Sequence, residues 1–123
     1  MTQSVLAVTV LVAMLHLCFW VLEMFFWRKP LGLKTFRMDP AFAERSASLA
    51  ANMGLYNGFL AAGLLFSLSY PEPHGSVVFT RLFLTFALVA GLYGAASANK
   101  RIFWVQAMPA ALALGLNVIA TLV

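Results

Sequence analysis

Residues 4–27 read SVLAVTVLVAMLHLCFWVLEMFFW, and this stretch decides the fold. It contains no Lys, Arg or Asp, and carries one carboxyl, Glu23, and one imidazole, His16. An α-helix needs roughly 20 consecutive apolar residues to cross the hydrocarbon core of a bilayer, so the segment predicts a transmembrane helix with an acid and an imidazole held at depth. It lacks the basic n-region of a secretory leader, and its apolar run exceeds the ~7–15 residues of an h-region. It is therefore expected to be retained. Ionisable side chains at such depth are costly, face protein rather than lipid, and mark functional sites.

The rest of the chain agrees. Its 123 residues are 63% hydrophobic and only 10% charged, with a mean hydropathy of +0.90, whereas a soluble domain carries about 25% charged residues. Further apolar runs at 49–69, 76–98 and 102–123 each match the length of a spanning helix. The expected fold class is all-α, a four-transmembrane-helix bundle with short loops, forming one integral membrane domain over residues 1–123. Cys18 is the only cysteine, which excludes a disulfide or a thiolate metal site within one chain, and it reads as a small buried apolar residue.

Charge gives an orientation. Arg28, Lys29, Lys34, Arg37 and Arg45 fall in the first connection and Lys100 and Arg101 in the third, while residues 70–75 hold neither Lys nor Arg. The positive-inside rule then places both basic loops in the cytoplasm and both termini outside, in the inner membrane of a bacterium. Arg81, one turn into the third span, is expected to snorkel to the interface. The formal net charge of +4 follows from this topology and fits contact with membrane lipids of anionic head group. Nucleic acid is not an expected partner, because no folded domain presents the basic residues. Between the spans, Asp39-Pro40 supplies an N-cap and a first-turn proline, so a helix can begin there and run into the second span. Tyr70-Pro71-Glu72-Pro73-His74-Gly75 reads as a turn that breaks the helix at its prolines and releases the chain at its glycine, with His74 solvated.

Helical phase sorts the polar residues. At 100° per residue Thr9, His16, Trp20, Glu23 and Trp27 share one stripe of the first helix. His16 and Glu23 lie about 10 Å apart along the axis at 1.5 Å per residue, too far for a direct hydrogen bond, with Trp20 walling the gap. On the second helix Gly54, Asn57, Gly58, Ala61 and Ala62 form a small-residue face, and Gly54 with Gly58 permits close approach of another backbone. Gly58→Leu is accordingly expected to disrupt packing far more than Leu64→Ala. The third helix presents Ala87, Gly91, Gly94, Ala95 and Ala98, and the fourth gathers Gln106, Pro109, Ala110, Ala113 and Asn117. Pro109 leaves the carbonyl near Val105 without its helical donor. Counting turns from the basic-loop ends puts Glu23, Asn57 and Gln106 in one layer, joined by Tyr93, with His16 and Trp20 above. These six residues are the expected binding site. Asn and Gln also simply bridge membrane helices, for ~0.6 kcal/mol on average, and a lone His serves packing as readily as chemistry. Glu23 is the functional candidate, since a purely structural role could use Gln and avoid an insertion cost of ~2.5–3.5 kcal/mol.

His16, Glu23 and Trp27, the run Asn52-Met53-Gly54-Leu55-Tyr56-Asn57-Gly58-Phe59-Leu60-Ala61, then Gly91-Leu92-Tyr93-Gly94-Ala95, and Gln106 with Pro109-Ala110 resemble a family of small bacterial and fungal membrane proteins, domain-of-unknown-function family thirteen-zero-four. The resemblance covers nearly the whole chain and implies a four-helix integral membrane fold without supplying an activity. Met53 and Met108 stand where that pattern has a glutamine and a glycine.

Two classes of function fit these residues. One is a homo-oligomeric transporter or binding protein for a lipophilic or cationic small molecule, proton-coupled through Glu23. By analogy, small multidrug-resistance exporters couple protons to cationic substrates with a carboxylate on the first of four helices, although their other motifs are absent here. The other is a membrane enzyme with Glu23 and His16 as an acid-base pair on a lipophilic substrate. No nucleophile motif is present, no cluster of His, Asp or Glu has metal-ligand spacing, and no cofactor is expected. An accessory subunit that docks another membrane protein through its small faces is a further option.

Overall fold

The computed structural model describes residues 1–123 and contains helices only. In chain order these are α1 (Gln3–Phe25), α2 (Pro30–Phe36), α3 (Pro40–Leu68), α4 (Pro73–Ser97), a π-helical segment (Phe103–Ala107) and α5 (Met108–Leu122). Four helices, α1, α3, α4 and the continuous stretch Phe103–Leu122, are long and apolar enough to cross a membrane. The chain is a multi-pass, all-α membrane protein.

Side-chain caps set the helix starts. Asp39 Oδ1 accepts the backbone N–H of Phe42 at 2.8 Å, and Pro40 occupies the first helical position, where a missing N–H costs nothing. This starts α3 well ahead of the apolar run it enters. Glu72 does the same for α4, accepting from the backbone N–H groups of His74 and Gly75 at 2.6 Å each. The proline-rich turn therefore does not extend to Gly75 as expected. Pro73 opens α4, and His74 and Gly75 lie in its first turn.

The chain divides into two compact units, His16–Phe59 on one hand and Met1–Leu15 with Leu60–Val123 on the other. The second of these contains a core drawn from all four spans. Val12 and Ala13 of α1, Leu64 of α3, Leu84 and Ala87 of α4, and Ala110 and Ala113 of α5 are fully buried together. Small residues dominate because helices in lipid associate through close van der Waals packing rather than hydrophobic exclusion. A Cβ on Gly91 would lie 2.6 Å from the backbone nitrogen of Ala107, so α4 meets the π-helical segment backbone to backbone. That segment answers the proline problem. Pro109 lacks an N–H and its ring crowds the carbonyl four residues earlier, and a π turn just before it widens the helix there, with Met108 N–H reaching back to Phe103 O.

In the unit His16–Phe59, the sequence gives no sign of α2. Its seven residues end at Arg37, whose left-handed backbone (φ 52°, ψ 52°) turns its N–H onto Leu33 O. Gly32 is obligatory there, since a Cβ would fall 2.1 Å from the carbonyl oxygen of Phe26. Trp27 ties the connection to α3 by donating its indole N–H to Ser46 Oγ at 3.0 Å, and stacks at a tilt on Phe36 of α2. Cys18 is exposed rather than buried, because two residues of helix turn it about 200° from the buried His16.

Candidate functional site

The glycines of α3 build the site. A Cβ on Gly54 would lie 3.0 Å from Glu23 Cβ and 3.1 Å from the backbone nitrogen of Met24. One turn on, a Cβ on Gly58 would meet the Trp20 indole at 3.2 Å. Gly54 thus seats the backbone of α1 and Gly58 seats the flat face of Trp20, which brings the two helices close enough for side chains between them to bond. Asn57, flanked by these glycines, donates its amide to Glu23 Oε1 at 2.5 Å. Glu23 is 6% exposed.

No Lys or Arg is in an ion pair with Glu23. Arg28, the nearest Lys or Arg in sequence, pairs instead with Glu44, its Nη1 donating to both carboxylate oxygens at 3.0 and 3.2 Å. Trp20 is half-buried beside the pair, its indole N–H on Met24 Sδ at 3.3 Å and its ring edge-on to Phe25. His16 is fully buried, with its imidazole edge-on to Phe19 at 5.7 Å between centroids. Of the six residues expected at the site, His16, Trp20, Glu23 and Asn57 therefore fall in one unit, with Glu23 and Asn57 in direct contact. Gln106 and Tyr93 belong to the other unit. There Gln106 is half-buried in the π-helical segment, and Tyr93 is 74% exposed, two positions on from buried Gly91.

Sequence reasoning missed a second polar group. Arg81 does not simply snorkel. Its Nε donates to Asn117 Oδ1 at 2.7 Å, and its Nη2 donates to Asn117 O at 3.2 Å and Thr121 Oγ1 at 2.6 Å, locking α4 to α5. Asn117 and Thr121 are one turn apart on α5, which is the signal that could have paired them with a cation on a neighbouring helix. In the same unit Thr9 and Thr80 bury hydroxyls that have no hydrogen-bond partner. No group of His, Cys, Asp and Glu side chains is arranged to hold a metal ion.

Outside the spans, the two backbone N–H groups that Glu72 accepts hold its carboxyl below the ordinary value of 4.5, since they bond the charged form.

Comparison with known proteins adds identity without activity. Residues 10–118 match the family described as Protein of unknown function (DUF1304). The chain is 31% identical over 116 residues to the uncharacterized protein YpaA of Lactococcus lactis subsp. lactis (strain IL1403), covering 93% of this chain and 96% of that one. No solved structure matches. The matched span takes in the Glu23–Asn57 contact and, of the Arg81 cluster, Arg81 and Asn117, and on these two matches the chain belongs to the DUF1304 family.

Proposed function

We propose that the protein is a small-molecule carrier or binding protein of the bacterial inner membrane, working as a homo-oligomer, with Glu23 as the group that receives a lipophilic cation in exchange for a proton. The observation that supports this reading is the buried Glu23 carboxyl, which accepts from the neutral amide of Asn57 while Arg28, the nearest Lys or Arg in sequence, pairs with Glu44. A carboxyl kept in a spanning helix without a cation of its own is a place for a mobile positive charge, whether proton or ligand. Trp20 beside it offers an aromatic face of the kind that attracts cations.

The test is binding of tetraphenylphosphonium, a lipophilic cation, to the purified protein across a pH series. Binding should weaken as pH falls, because proton and cation compete for one carboxyl, and Glu23→Gln should abolish both the binding and its pH dependence. Binding that is undiminished and equally pH-dependent in Glu23→Gln would remove the basis of the reading.

A further inference from the structure

The Arg81 cluster is independent of Glu23 and lies in the unit formed by Met1–Leu15 and Leu60–Val123. All three hydrogen bonds of its guanidinium go to neutral oxygens, those of Asn117 and Thr121. The unit's one acidic side chain, Glu72, spends its two carboxylate oxygens on the backbone N–H groups of His74 and Gly75. Arg81 therefore stands in a membrane helix as an uncompensated positive charge, fixed in orientation. A guanidinium carries five N–H donors in a planar fork. Those on Nε and Nη2 hold α5, and those on Nη1 take no part in these bonds. Asn117, with its Oδ1 turned to Arg81, keeps its amide N–H groups for another acceptor.

Beside this cluster is an open hollow of about 350 Å³. Asn117 and Thr121, the two residues that hold Arg81, line it together with Thr2 on the polar side, and Met1, Val5, Val77 and Ala120 line the apolar side. Val77 sits one turn before Arg81 on α4. A positive charge held by two of the residues that line a cleft with both polar and apolar walls suits an amphipathic anion. The one nitrogen left over, Nη1, can give an oxyanion charge-assisted hydrogen bonds.

We propose that Arg81 and Asn117 form a binding site for a phosphate group, Thr121 holding the guanidinium in place while its own O–H goes to Val118 O, with the adjoining Val5, Val77 and Ala120 wall receiving the apolar part of a phospholipid. The apolar wall favours lipid phosphate over free phosphate as the source, since inorganic phosphate would leave that wall unused.

The experiment measures thermal stability of the detergent-purified full chain titrated with phosphatidylglycerol or with inorganic phosphate. Phosphatidylglycerol should raise the melting temperature in a saturable manner, as any ligand that binds only the folded state does. Arg81→Gln should weaken its apparent affinity about tenfold or more, the loss that goes with one charge-assisted contact. Ala120→Phe fills the hollow while leaving the three Arg81 bonds in place, and should weaken lipid binding alone, so the test survives if Arg81→Gln does not fold. A rise with inorganic phosphate that Arg81→Gln abolishes and Ala120→Phe spares supports the site with a free phosphate as its ligand. Lipid affinity unchanged in Ala120→Phe and in any folded Arg81→Gln, or no rise with either phosphate, overturns the proposal.

Discussion

The amide of Asn57 and the carboxyl of Glu23 meet across the α1–α3 contact because Gly54 and Gly58 stand on either side of the asparagine. The two glycines lower the wall of α3, the α1 backbone settles into it, and the one side chain between them reaches the one acid of α1. A small-residue motif and a buried acid thus form a single device.

Replacing Asn57 separates the bond from the packing. An average side-chain hydrogen bond between membrane helices contributes only ~0.6 kcal/mol, but Asn57→Leu would leave Glu23 buried without a donor, which costs about 1–3 kcal/mol. The cost of the stranded carboxyl should outweigh the value of the bond itself. Asn57→Leu is expected to lower stability in detergent by that amount, and the double variant Asn57→Leu with Glu23→Leu to recover most of it. A double variant no more stable than Asn57→Leu alone would show that the carboxyl is satisfied from elsewhere.

Gly58→Leu is expected to cost at least the ~1–3 kcal/mol typical of overpacking, because Trp20 is already in contact with the site of the missing Cβ. The structure changes its proper control. Leu64, expected to tolerate truncation, is fully buried in the core that all four spans share, so Leu64→Ala should itself cost about 2–5 kcal/mol. Leu65, 37% exposed, should lose no more than about 0.5 kcal/mol on truncation to Ala. Thermal unfolding of the three variants in one detergent checks the order, and a Gly58→Leu as stable as Leu65→Ala would mean that Trp20 moves aside freely.

What the sequence made legible was local or periodic. The four spans, the Asp39-Pro40 start of α3, and the small faces carrying Gly54, Gly91, Ala110 and Ala113 all follow from runs, caps and a 3.6-residue repeat, and the structure buries those four residues. What stayed hidden depends on partners distant in the chain. Arg81 reads as a snorkelling side chain because its acceptors are 36 and 40 residues away, and no period relates one helix to another. Leu64 reads as peripheral because an apolar residue in an apolar helix carries no sign of which side meets protein. The helix α2 is too short for a periodic signal, and is held by Gly32 and Trp27 rather than by propensity.

Glu72 makes stability depend on pH. Its carboxyl titrates below the ordinary 4.5 in the folded protein, so its contribution is fully present above that value and is lost as pH falls through it towards the lower folded value. Glu72→Gln keeps an acceptor but no charge. Between neutral pH and about 3 the melting temperature of the natural protein should therefore fall more steeply than that of Glu72→Gln, the two curves converging at the acid end. Parallel curves would mean that the cap contributes nothing through its charge.

The orientation of the chain follows from its basic loops and is open to direct labelling. Arg28, Lys29, Lys34, Arg37 and Arg45 on one connection and Lys100 and Arg101 on another are expected to keep both loops in the cytoplasm, with both termini outside. Cys18 is the only native thiol and has no partner, so Cys18→Ala provides a background in which a single new cysteine reports its own side of the membrane. In that background Val123→Cys should react with a membrane-impermeant maleimide on intact cells, while Lys100→Cys should react only after the cells are opened. The reverse pattern would place the Asn117 and Thr121 end of α5 in the cytoplasm. The Arg81 site would then draw its phosphate from the inner leaflet, whereas the Glu23–Asn57 contact, which depends on packing alone, would stand unchanged.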